Sequence, residues 1–191
     1  MSNNPATSGH DTRKLVLLSL LVALAIVLRG MEGLIPNPLP WVRIGFANIM
    51  TLLAILLFGL KAGMLLTVLR VLITSFLFGT FLSPTFLLSF TAGIASTLIM
   101  GLCAISCRRL LSPIGLSALG GFIHNLVQLW VAYLVIIRHG QIFYLFPILS
   151  LIGTLTGIFN GWVVTVLYKH LASQLPYISP ELQREQHKKL A

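Results

Sequence analysis

From Leu15 to Tyr168 the chain carries a single acidic residue, Glu32. A water-facing surface of that length cannot be built with so few charges. Soluble domains hold about 25% charged residues; here the charged fraction is 9% against a hydrophobic fraction of 57%. The other acidic residues, Asp11, Glu181 and Glu185, lie towards the two ends. Lipid is the solvent that accepts such a surface, and helices satisfy their own backbone hydrogen bonds there. The expected fold is all-α: a polytopic membrane protein, a bundle of six transmembrane helices with almost no water-soluble part.

The chain divides into three stretches. Residues 1–12 are polar and aperiodic and read as a disordered cytoplasmic tail. Residues 13–171 form the membrane domain, and 172–191 a second polar cytoplasmic tail, in which Ser179-Pro180 could open a short surface helix. Helix one is expected over about 14–35. Its start resembles a signal-peptide core, with Val22-Ala23-Leu24-Ala25 as a small-residue pattern, but the apolar run continues to Leu34-Ile35, against cleavage. Pro36, Pro38 and Pro40 make a stiff external loop closed by Trp41. Further helices are expected over about 44–60, 62–78, 85–106, 116–137 and 146–168, each near the ~20 residues that cross the hydrocarbon. A tight turn at Gly59 to Gly63, a loop at Gly79 to Pro84, the Arg108-Arg109 and Ser112-Pro113 pairs, and a polar break at Arg138 to Gln141 separate them.

The net charge of +9 does not indicate nucleic acid, because the basic residues sit at the ends of apolar runs rather than on a polar module. With the N-terminus inside, nine basic residues (among them Lys14, Lys61, Arg108, Arg109 and Lys169) fall on the inner side. Three, Arg29, Arg43 and Arg138, fall on the outer side. That asymmetry puts both termini in the cytoplasm, in a bacterium at the plasma membrane. Cys103 and Cys107 read as packed thiols; a metal site would need further ligands, and no metal or cofactor is implied.

Charged and polar groups inside spans are costly, at least about 2.5–3.5 kcal/mol for a charge at the centre. Arg70 lies mid-way along helix three. It either bonds to Glu32 or backbone carbonyls, or it holds an anion in a cavity. Arg29 and Glu32, three apart, share a helix face and suit an internal ion pair. Arg43 is an interfacial anchor or a third guanidinium at the same end. Such an excess of arginine suits phosphate or carboxylate. Asn48, His124, Asn125, Gln128 and Asn160 are the other polar candidates for substrate contact, with interhelical hydrogen bonding as the competing role. Gly153, Gly157 and Gly161 form two overlapping small-residue motifs on helix six and mark a close helix contact, in the same chain or another. Helix four carries Gly93, Thr97 and Gly101 at the same spacing.

Three stretches carry a resemblance: Arg43-Ile44-Gly45-Phe46-Ala47-Asn48-Ile49; Leu69-Arg70-Val71-Leu72 with Phe78-Gly79; and Ser83-Pro84-Thr85-Phe86-Leu87-Leu88-Ser89 with Ala92-Gly93. Together they resemble the Gx transporter family, also labelled heptaprenyl diphosphate synthase component I, over roughly residues 14–170. That family resembles the substrate-binding S-components of energy-coupling-factor (ECF) transporters. The resemblance implies a six-helix bundle with an externally facing pocket for a small molecule. It also implies a small-residue face on helix one, matched by Ser19 and Ala23, that docks on a transmembrane coupling subunit. No glycine-rich phosphate loop ending in Lys-Ser/Thr occurs, so ATPases would be separate chains. The synthase label meets a physical objection. Magnesium-bound diphosphate needs carboxylates, and the chain has one aspartate, Asp11. The expected role is therefore non-catalytic: transport or binding of an anionic or amphipathic small molecule, or a membrane subunit in polyprenyl diphosphate metabolism. A purely structural membrane protein would have no polar cavity.

Overall fold

The computed structural model describes residues 5–33, 45–107 and 110–174, and every regular element among them is helical. The helices are α1 (Pro5–Gly33), α2 (Ala47–Phe58), α3 (Leu60–Leu77), α4 (Pro84–Ser106), α5 (Pro113–Ala132) and α6 (Phe146–Gln174). A π turn, Tyr133–Ile137, extends α5, and a 3-10 turn, Gly140–Leu145, leads into α6. Among the described residues, five stretches are long and apolar enough to cross a membrane: Thr12–Gly33, Leu60–Leu77, Pro84–Ser106, Pro113–Ile137 and Gly140–Leu171. Of the six expected helices, the second is short. α2 has 12 residues, a length of about 18 Å at ~1.5 Å per residue, against a hydrocarbon core of about 30 Å.

Several boundaries also shift. α1 begins at Pro5, inside the stretch expected to be a tail, and α6 continues beyond Tyr168 to Gln174. α4 and α5 begin at proline, not beyond it. Ser83 Oγ accepts from the Phe86 amide at 3.3 Å and Ser112 Oγ from the Gly115 amide at 3.2 Å, each with proline in the first turn. There the missing proline N–H has no helical partner to lose. The expected turn from Gly59 to Gly63 shrinks to one residue. Gly59 has φ +88°, and α3 is helical from Leu60. The tails, the proline loop with Trp41, and the Arg108-Arg109 pair lie outside the described residues, apart from the parts of the two tails that α1 and α6 take up.

α2 lies at the centre. It packs on α1, α3, α6, α4 and α5, and eight of its residues are buried. A helix enclosed on all sides must be apolar all round, which Ile49-Met50 and Leu52-Leu53-Ala54-Ile55 supply. The larger core joins these to Leu18, Leu21, Val22 and Ala25 of α1, Leu66 of α3, Met100 of α4, Leu116 of α5 and Val164 of α6. The outer surface is apolar too: Leu15, Val16, Phe76, Ile105, Leu151, Phe159 and Trp162 are all exposed, the pattern of a lipid-facing bundle.

α5 and α6 make the most extensive contact. The glycine stripe of α6 packs inside the chain, on α5. A Cβ at Gly157 would stand 2.6 Å from Ser117 O, and one at Gly161 3.0 Å from Pro113 O. Gly121 of α5 faces Gly153 so closely that a Cβ on it would overlap the Gly153 carbonyl.

Candidate functional site

The site begins where α1 ends. Glu32 is 2% exposed, and Arg29, one turn earlier, donates to its Oε2 from Nη1 at 3.1 Å. The second oxygen, Oε1, accepts from the Gly45 amide. Gly45 has φ +80°, a conformation that disfavours any side chain. Its carbonyl accepts from Asn160 Nδ2 at 3.1 Å and from the Asn48 amide at 2.8 Å. One backbone position thus ties α1, α2 and α6 together beside the carboxylate.

Arg70 faces this knot from α3 and is buried. Its Nη2 lies 3.5 Å from Asn48 Oδ1, at the outer limit of a hydrogen bond, and its Nε has no partner among the described residues. Gly93 of α4 packs beside the guanidinium: a Cβ there would press on Thr67 Cγ2 at 3.2 Å and touch Nη2 at an ordinary contact distance of 3.8 Å. On the side away from the knot, Thr67 Oγ1 contacts Thr51 Oγ1 at 3.4 Å and Thr97 Oγ1 at 2.9 Å. This buried hydroxyl seam joins α2, α3 and α4.

Arg29, Glu32, Asn48, Arg70 and His124 border one cavity of about 160 Å³. Its remaining wall comes from Gly33 and Gly45 beside the knot, Val71, Thr74, Ser75 and Phe78 of α3, Thr80 of the following loop, and Thr85, Phe86 and Ser89 of α4. Two guanidiniums thus stand against one carboxylate, and that carboxylate is already engaged by Arg29 and an amide. Among the described residues the excess is one positive charge in a buried, low-dielectric setting, where an anion gains most.

A smaller cavity of about 10 Å³ shares Gly45, Asn48 and His124 with the first and adds Asn125, Asn160 and the α5–α6 glycines. Asn125 spends a donor on the α6 backbone, Nδ2 to Leu149 O at 2.5 Å. Gln128 is buried and borders neither cavity. Arg43 lies outside the described residues. The candidates therefore separate into Arg29, Glu32, Asn48, Arg70 and His124 around the main cavity, Asn125 and Asn160 behind it, and Gln128 elsewhere. Among the described residues no three His, Cys, Asp or Glu side chains gather as a metal site would need.

The wall residues Thr74, Ser75, Thr80, Thr85, Phe86 and Ser89 do not stand out by charge or polarity. Several do lie in the family motifs: Gly45 and Asn48 in the first, Arg70, Val71 and Phe78 in the second, Thr85, Phe86 and Ser89 in the third. The motifs that carry the resemblance are thus largely the cavity wall.

Ser19 and Ala23 are exposed on α1, on the face opposite Leu18, Val22 and Ala25. The Ser19 hydroxyl donates to Leu15 O at 2.9 Å, which leaves it only its lone pairs to offer that surface.

Fold and cavity together define a polytopic helical membrane protein with an arginine-bearing pocket at one end of the bundle. The model of the heptaprenyl diphosphate synthase component I family matches residues 21–167, and the chain belongs to that family. Its fold is that of the S component of a bacterial ECF transporter. The two superpose with a TM-score of 0.67 at 23% identity, over 86% of this chain and 98% of the other. No curated protein matches the chain significantly.

Proposed function

We propose that this chain is a membrane-embedded substrate-binding subunit of a transport system of S-component type, and that its substrate is a small anionic solute. The observation that carries this is Arg70: a buried cation with an unpartnered Nε, bordering a cavity whose one described carboxylate is engaged elsewhere. A guanidinium in that state is an unfilled anion site. The S-component fold supports transport, as does the small-residue face at Ser19 and Ala23, available to a transmembrane coupling subunit with separate ATPases.

α2 counts as the sixth crossing in this reading. The cavity end of the bundle holds Glu32 at the end of α1, Asn48 at the start of α2 and Thr74 near the end of α3, so α2 runs back to Gly59 at the other end. Both termini are then cytoplasmic, the cavity opens outward, and the bundle sits in the plasma membrane.

A second reading, a non-catalytic membrane subunit that holds a polyprenyl diphosphate, has one observation in its favour. Phe86, in the cavity wall, packs on Phe81 with centroids 5.2 Å apart, and Phe81 stacks on exposed Phe76 at 4.3 Å. This aromatic row leads from the anion site to the lipid face, where an isoprenoid tail could lie.

Mass spectrometry of small molecules released from the purified protein tests both. A polar anion retained by wild type and lost from Arg70→Gln supports the first reading, and a prenyl diphosphate the second. Equal retention by wild type and Arg70→Gln would sink the anion site.

A further inference from the structure

Two hydroxyls in the cavity wall, those of Thr74 and Ser75, have spent their protons. Thr74 Oγ1 donates to Arg70 O at 2.7 Å, with a second contact to Val71 O at 3.2 Å. Ser75 Oγ donates to Leu72 O at 2.8 Å. Both residues are buried, at 7% and 4% exposure, and both border the main cavity. A hydroxyl has one proton and two lone pairs. With the proton held by a helix carbonyl, each oxygen can offer the cavity only lone pairs. The same holds behind: Asn160 Nδ2 is committed to Gly45 O, and its Oδ1 has no partner among the described residues and is buried. The cavity therefore has a cationic pole at Arg70 and Arg29, and at Thr74 and Ser75 a stretch of wall that can only accept.

An anion without protons would satisfy the first and leave the second bare. A solute that supplies a donor gains a hydrogen bond to the lone pairs of Thr74 or Ser75 that a donor-free anion forgoes. We infer, on the footing of the anion-binding reading above, that the solute is a small anion that also carries a hydrogen-bond donor, a hydroxyl or an ammonium group, which it gives to the Thr74–Ser75 wall. A molecule of this class fills a cavity of about 160 Å³. It leaves Arg70 and the hydroxyl wall each with a partner.

Matched probe pairs test this by thermal unfolding of the purified, ligand-stripped protein in detergent. Propionate is compared with lactate and with β-alanine, and ethyl phosphate with phosphoethanolamine. The donor-bearing member of at least one pair should bind about tenfold more tightly than its partner, the worth of about one buried hydrogen bond. Thr74→Val and Ser75→Ala should each narrow that preference while the weaker response to the donor-free anion persists. Should Thr74→Val fail to fold, Ser75→Ala carries the comparison. If donor-free anions stabilise as well as their partners and Arg70→Gln abolishes both, the donor inference is overturned and the anion site stands. If no probe shifts unfolding in the wild type, both fall.

Discussion

Arg70 Nη2 and Asn48 Oδ1 stand 3.5 Å apart across the cavity, and this is the only side-chain hydrogen bond of the Arg70 guanidinium among the described residues. Glu32, the one acidic side chain in the membrane domain, is held 3.1 Å from Arg29 instead. The two arginines therefore differ in what their removal leaves behind. One is half of an ion pair; the other is a buried charge with no ion-pair partner among the described residues.

That difference gives the first prediction. Arg29→Gln strips a nearly sealed carboxylate of its cation and should destabilise the empty protein, by up to about 3–5 kcal/mol for a fully buried pair and by less here, because Arg29 is 18% exposed. Arg70→Gln removes a charge that lacks an ion-pair partner among the described residues, so the empty protein should unfold within a few degrees of wild type. Thermal unfolding in detergent, without added anion, checks the contrast. A larger loss from Arg70→Gln than from Arg29→Gln would show that Arg70 is structural.

Gly45 carries the second. Its φ of +80° places it in the left-handed region, where an L side chain costs roughly 1–2 kcal/mol. It also hands its amide to Glu32 and its carbonyl to Asn160. Gly45→Ala should lower stability by about that amount. It should also weaken anion binding, because a backbone relaxed out of the left-handed region turns its amide away from Glu32, which can then swing towards Arg70. Unfolding and anion titration on the same preparation separate the two effects. Binding left unchanged would mean that the backbone knot does not set the charge balance of the cavity.

The membrane class and most helix positions were legible because lipid imposes a simple rule: charge is excluded wherever the chain is in hydrocarbon. Arg70 and Glu32 stood out for the same reason. The shortness of α2 was not legible. An enclosed helix and a lipid-crossing helix are both apolar, and periodicity does not distinguish them. Nor were the cavity hydroxyls, since Thr74 and Ser75 look like any helix-borne hydroxyl until their protons are traced to Arg70 O and Leu72 O. Asn125 and Gln128 sit three apart on one buried stretch of α5, yet only Asn125 reaches a cavity. The stripe at Gly153, Gly157 and Gly161 announced a close contact, but its partner face became identifiable only with Gly121, Ser117 and Pro113 in view.

Orientation yields the third prediction. Tyr144, 86% exposed, lies in the 3-10 turn between α5 and α6, and Leu110, 85% exposed, in the connection from α4 to α5. The charge asymmetry puts the first outside and the second inside. Cys103 and Cys107, both free thiols, are first replaced by serine. Tyr144→Cys should then react with an impermeant maleimide in intact cells, and Leu110→Cys only after permeabilisation. The reverse pattern would invert the topology and turn the cavity towards the cytoplasm.

The last prediction contrasts two small-residue surfaces. Gly157 faces the α5 backbone, with the Ser117 carbonyl 2.6 Å from where a Cβ would sit. Gly157→Val should therefore force α5 and α6 apart, at a cost of typically about 1–3 kcal/mol for overpacking. Ala23 faces outward on α1 between exposed Leu20, Leu24 and Val27. Ala23→Leu adds a side chain that meets only lipid in the isolated protein, so its unfolding should match wild type. In cells the same leucine would stand between α1 and any helix that packs there, because close helix approach in lipid depends on small residues. Membrane subunits that co-purify with tagged wild type should then be lost from Ala23→Leu, while the anion response of the purified chain persists. Full partner recovery with Ala23→Leu would remove α1 as the docking face. A fall in stability like that of Gly157→Val would show that the face packs within the bundle.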